Sequence, residues 1–171
     1  MLQEKAVQPA TLALLKKLVG LEELSSFALG GGTNLALRYG HRLSVDLDFF
    51  TNKEFDRSQL FQIITNTFPS AELLFEQNQT MLFVINDVRV DFVLYPFPWV
   101  LPFEETGGTR LISEKDIIPM KLQAISNRNS KKDFWDIAML LGNYPLKEMI
   151  RIFKKKFPQV DEGYIIHSLT D

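Results

Sequence analysis

The chain has 171 residues, 46% of them apolar and 12% aromatic, which is enough for one compact domain with a sizeable core and too little for a second full domain. A formal charge of −2 excludes a polycation that coats nucleic acid, and the absence of cysteine excludes disulfides, thiolate metal sites and a cysteine nucleophile together. No apolar run approaches the ~18 residues of a membrane span and the N-terminus lacks a signal pattern, so a cytoplasmic protein without membrane contact is expected.

Pro9 opens a predicted helix over residues 9 to 25, with Leu12, Leu15, Val19 and Leu24 at roughly helical spacing. Phe27-Ala28-Leu29 reads as a short strand that delivers the loop Gly30-Gly31-Gly32. Thr33 is expected to cap a short helix that ends near Gly40. Residues 45 to 50 form a strand, and residues 58 to 68 a helix stopped by Pro69. Strands follow at 71 to 76, 80 to 86 and 88 to 95, the last two joined by a tight turn at Asn86-Asp87. Prolines and the Gly107-Gly108 pair mark residues 96 to 109 as a loop, whose aromatics either form an interface or fold back over the sheet. Ser113 with Asp116 has the form of a capping box opening a helix to about Asn127. Helices at 131 to 141, 145 to 157 and the terminal residues complete the chain. Strands and helices first, then helices only, predict an α+β fold. A small mixed sheet flanked by helices occupies residues 1 to 112, and the helical segment 113 to 171 completes the same unit.

The chemistry concentrates on the strand at 45 to 50. Its two-residue period points Asp46 and Asp48 to one face, while Val45, Leu47 and Phe49 point into a core. Two carboxylates side by side resist joint ionisation, and a divalent cation, magnesium first, relieves that repulsion. Asp91 stands on the polar side of its own strand. Were the two strands neighbours, three carboxylates would converge to hold one or two magnesium ions together with nucleotide phosphates. Imidazoles and thiolates, which would indicate zinc, are missing from this set. The glycines before Thr33 permit a phosphate to approach backbone N–H groups at a helix start, although a plain flexible turn explains a triple glycine equally well. The pattern lacks the ending of a P-loop and the spacing of a dinucleotide fingerprint.

Charge is uneven: residues 113 to 157 hold 10 Lys/Arg against 5 Asp/Glu, whereas residues 1 to 112 hold 9 against 13. Lys121, Arg128 and Lys132 would share one face if residues 115 to 136 were helical throughout. Phe134 and Trp135 are expected as core anchors, and Lys154, Lys155 and Lys156 as a solvated face at a helix C-terminus. His41 and Arg42 are expected in a loop, and His167 in a structural or exposed position.

The runs GGGTNLALRYGHRLSVDLDFF, RVDFVLYPF and SEKDIIPMKLQAISNRNSKKDFWDIAMLL together resemble the AbiEii/AbiGii toxin branch of the polymerase β-like nucleotidyltransferase superfamily, over roughly residues 27 to 142. The resemblance implies transfer of a nucleoside monophosphate from an NTP, with pyrophosphate leaving, by magnesium-dependent chemistry. It makes Asp46 and Asp48 metal ligands, Gly31, Gly32 and Thr33 phosphate holders, Lys121 a triphosphate contact and Asp136 the acid of the last motif, with Asp133 as the alternative. Asp91 and Asp136 are both candidates for the general base. The branch often uses tRNA as acceptor and is neutralised by an antitoxin protein, so tRNA or another RNA, and an antitoxin, are the implied partners. The chain has little beyond the second motif helix, and a large acceptor-binding domain is not expected in it. The alternative function is a nucleotide- or RNA-binding module of the same fold without turnover.

Overall fold

The computed structural model describes residues 1–170. They divide into two compact units: residues 1–99 with 103–112, and residues 100–102 with those from Ser113 onward.

In the first unit α1 (Pro9–Val19) starts on its proline and ends before Gly20, six residues short of the predicted end. Glu22–Leu24 turn as a 3-10 segment instead, which Arg110 secures by donating to the carbonyls of Val19, Leu24 and Phe27. Next come β1 (Ala28–Leu29), α2 (Gly31–Tyr39), β2 (Leu47–Thr51) and α3 (Arg57–Thr67), whose N-cap Asp56 accepts from the Gln59 N–H. The strands β3 (Glu72–Gln77), β4 (Thr80–Ile85) and β5 (Val88–Leu94) follow. At the β4–β5 turn Asn86 and Asp87 both have positive φ, 51° and 64°, as a tight hairpin requires.

The predicted loop at 96 to 109 contains a hairpin: β6 (Glu104–Thr106) and β7 (Thr109–Leu111) are joined by Gly107 and Gly108 at φ 57° and 75°. Three-residue strands are too short to show a period, so only the glycine pair marked them. The seven strands form one mixed sheet in the order β3-β4-β5-β2-β1-β7-β6. Leu47 and Phe49, with Val88, Val90 and Phe92 and with Met81, Phe83 and Ile85, are buried in a cluster with Leu14, Leu15 and Leu18 of α1 and Leu60 and Ile64 of α3. Phe49 and Phe92 stack with ring centres 5.4 Å apart. This face is the core; the alternating residues, including the acids, belong to the other.

The second unit contains α4 (Glu114–Arg128), α5 (Lys131–Leu141), α6 (Leu146–Lys156) and α7 (Glu162–Thr170). Ser113 caps α4 by accepting from the Asp116 N–H at 3.2 Å. The Asp116 carboxylate, fully buried, receives the Ser113 hydroxyl, the Val100 and Leu101 N–H groups and Lys156 Nζ. Lys156 therefore departs from the expected solvated strip: its ammonium lies 2.7 Å from Asp116 and is buried, fixing α6 to α4, while Lys155 stays exposed. Asn129 ends α4 in the left-handed region at φ 49°, so residues 115 to 136 form two helices and no single continuous face. The helical period buries Asp133, Asp136, Ile137 and Leu140 and leaves Trp135 62% exposed, contrary to its expected place in the core. Among the described residues, no helix is long and apolar enough to cross a membrane.

Candidate active site

Three charged residues of the first unit share the polar sheet face, with a fourth just before it. β2 and β5 are parallel neighbours with Leu47 opposite Val90 and Asp48 directly opposite Asp91. The two-residue period carries Asp48 of β2 and Arg89 and Asp91 of β5 to one side, while Asp46 stands just before β2, which begins at Leu47 and not at the predicted residue 45. All three carboxylate residues are half-buried, whereas the core-facing Leu47, Val90 and Phe92 are sealed.

The glycine turn abuts these acids. β1 pairs antiparallel with β2, and the Gly30 N–H donates to the Asp48 carbonyl at 2.8 Å. Gly31 has φ +62°, and a Cβ there would collide with the Asp48 carboxylate, so only glycine fits. The helix α2 begins at Gly31 itself with Gly30 as N-cap and no side chain capping it. Its first N–H groups are thus the kind that bind anions. Thr33 is not the cap that the sequence suggested. It is buried within the first turn, where its hydroxyl bonds to the Ser44 hydroxyl at 2.6 Å and donates to the Asp46 carbonyl. It thereby ties the stretch carrying Asp46 to the helix. Asn34 and Arg38 anchor the same helix on the carbonyl of Ile112.

A cation already stands on the acid face. Arg89 Nε lies 3.1 Å from Asp91 Oδ1, and its Nη2 lies 3.4 Å from Oδ2. The Asp91 hydrogen bond and charge raise the Arg89 pKa above its ordinary value, burial opposes this, and the charges of Asp46 and Asp48 add to the rise. One guanidinium therefore feels all three carboxylates. Among the described residues, no three carboxylate or imidazole side chains are drawn together as a metal ion would hold them. The three acids offer oxygen donors only, the ligand type that magnesium takes.

Beside the acids on this face is an aromatic cluster. Phe50, two residues beyond Asp48, meets Tyr95 at 6.4 Å; Tyr95 stacks on Trp99 at 5.6 Å, and Trp99 meets Phe103 at 5.5 Å. Through the Phe50–Tyr95 contact these aromatics lie against the sheet. His41 and Arg42 are half-buried and lie outside the sheet, with Arg42 donating to the Leu43 carbonyl at 3.4 Å. His167 is exposed on α7.

The remaining sequence candidates lie in the second unit. Lys121, 5% exposed, bonds Asp133 at 2.9 Å and Asp136 at 2.7 Å, and Arg128 bonds Asp133 at 2.6 Å. Asp133 and Asp136 are thus joint partners of one lysine. Burial pushes the Asp133 carboxyl up, but hydrogen bonds and charge from Arg128 and Lys121 override it and hold its pKa below the ordinary value.

Residues 13–100, just over half of the chain, match the family model described as nucleotidyl transferase AbiEii toxin of a type IV toxin-antitoxin system. The chain belongs to the AbiEii family. An uncharacterised protein of Aquifex aeolicus, aq_aa25, is 36% identical to this AbiEii protein over 162 residues, covering 91% of this chain and 78% of its own. In fold the chain is similar to JHP933 of Helicobacter pylori, with TM-score 0.58 and 16% identity over 96% of this chain and 90% of that one. It is also similar to MenT4, a nucleotidyltransferase toxin of Mycobacterium tuberculosis, with TM-score 0.55 and 15% identity over 85% and 65%. The nucleotidyltransferase fold is therefore shared at low identity. Two features of this AbiEii chain escaped the sequence reading. Arg89 was legible in principle, since the alternation that places Asp91 on the polar face places Arg89 there too. The Lys156–Asp116 pair, 40 residues apart in sequence, left no local signal.

Proposed function

We propose that the protein transfers a nucleoside monophosphate from an NTP to an acceptor hydroxyl, with RNA, tRNA included, as the acceptor class and toxicity restrained by an antitoxin as its setting. The observation that carries this reading is the register of Asp48 against Asp91, with the Gly31 backbone pressed on the Asp48 carboxylate at an uncapped helix start. Backbone N–H groups of Gly31, Gly32 and Thr33 take the phosphates, while the Thr33 hydroxyl keeps Asp46 in place. Magnesium held by Asp46, Asp48 and Asp91 would screen the triphosphate and acidify the acceptor hydroxyl. Asp91 is the preferred general base because it is half-buried, whereas the Asp136 carboxylate is fully buried against Lys121. The acceptor oxygen attacks the α-phosphorus, its proton passes to Asp91, and the bond to the pyrophosphate oxygen breaks. Lys121, buried between Asp133 and Asp136, holds α4 to α5 within the helical unit.

A nucleotide-binding module without turnover is the second reading, and the Arg89 guanidinium on Asp91 is the observation that favours it. Incubation with each labelled NTP, magnesium and total RNA separates the two. Label transferred to RNA and abolished in Asp48→Asn supports the enzyme. NTP binding without transfer under any condition supports the module.

A further inference from the structure

We propose that the exposed face of α5, Trp135 with Lys131 and Lys132, is a platform for an unpaired stretch of the acceptor RNA, with one base stacked on the indole and the flanking phosphates on the two lysines. The inference deepens the transferase reading and rests on it for the identity of the RNA as acceptor. Its basis is the way α5 divides its side chains. Asp133, Asp136, Ile137 and Leu140 are buried, whereas Lys131, Lys132, Trp135 and Ala138 are exposed on the opposite side. Trp135 is 62% exposed, so most of a large apolar ring is left to solvent.

The neighbours of the indole decide what would cover it. Lys131 and Lys132 stand four and three residues before it, and a helical side chain leans toward the N-terminus, so the ring lies over the turn that carries both ammonium groups. Among the described residues neither lysine forms an ion pair. The acids of the same helix do not cancel them. Asp133 and Asp136 are buried and answered by Lys121 and Arg128, and the Arg128 side chain, 64% exposed, brings a third cation to this turn. A protein partner would suit the indole alone, but an aromatic face beside uncancelled positive charge matches a polyanion whose bases have flat faces. Bases in a duplex are already stacked on one another, so the indole can take one only from an unpaired strand or end. Stacking does not read base identity, and the platform holds the acceptor without selecting its sequence.

The test is binding of the full-length protein, without NTP, to a single-stranded RNA of about 12 nucleotides and to its duplex, read by tryptophan fluorescence and by anisotropy of labelled RNA. Trp135→Ala should raise the Kd about tenfold, the effect of one lost stacked base, and Trp135→Phe, which keeps a smaller ring, should raise it less. RNA should quench the fluorescence of the intact protein but not that of Trp135→Phe, in which Trp99 is the remaining tryptophan. Lys131→Gln combined with Lys132→Gln should flatten the slope of log K against log salt by about 1.4, for two phosphate contacts on a single strand. Because Trp135 is exposed, its replacement should leave the melting temperature in place, which separates a lost contact from a lost fold. RNA affinity unchanged in Trp135→Ala and in the double lysine variant overturns the platform, and leaves the transferase reading standing where label still reaches RNA. RNA binding that needs Trp135, with no transfer by the intact protein from any NTP, supports the platform and overturns the transferase reading instead.

Discussion

The polar face of the sheet and the centre of the helical unit hold the same kinds of charged side chain in opposite circumstances. Asp46, Asp48 and Asp91 are half-buried, and Asp91 pairs with an arginine that is 53% exposed. Asp133, Asp136 and Lys121 are 0%, 0% and 5% exposed, and their bonds are 2.7 to 2.9 Å long. A carboxylate with water beside it can exchange one cation for another at little cost. One sealed against an ammonium cannot, because parting them strands a charge in a low dielectric. Exchange chemistry therefore belongs to the sheet, and the helical cluster sets positions.

The contrast sharpens into measurable differences. Asp48→Asn should cost several kcal/mol of transition-state stabilisation, about a thousandfold or more in transfer rate, with little change in thermal stability. A large drop in melting temperature would instead make Asp48 a structural acid. Lys121→Met should do the reverse, lowering unfolding free energy in urea by about 3–5 kcal/mol, since two buried carboxylates lose their shared partner. A stable Lys121→Met protein would break the comparison. Gly31→Ala should cost about 1–3 kcal/mol by forcing a Cβ into the left-handed region and against Asp48, with NTP binding weakened in equilibrium dialysis.

The smallest effect concerns acid. The folded-state pKa of Asp133 lies below its unfolded value, so its contribution is complete above about pH 4 and disappears as pH falls through the folded pKa. Asp133→Asn should remove that part of the acid limb, on the order of 1 kcal/mol per pK unit of depression, as read by urea unfolding at several pH values.

Much of the fold was legible because its signals are local. Pro9 at the start of α1, the Asn86-Asp87 turn and the Ser113 cap each act within four residues, and each stands where the pattern placed it. Thr33 misled because a hydroxyl beside glycines looks like a cap, whereas burial gave it a stronger task on the Asp46 carbonyl. Trp135 misled because size was taken for depth, and the helix's buried face was already filled by Asp133, Asp136 and Ile137.

By itself the sequence determined which face of a strand each acid occupies and where the chain must turn, since period and φ preference are properties of neighbouring residues. Only the tertiary structure decided that β2 lies beside β5 with Asp48 opposite Asp91, that Arg89 grips one of those acids, and that Lys121 is enclosed by two others. Strand neighbours and ion partners are selected by burial and complementarity between distant stretches, for which no local pattern exists.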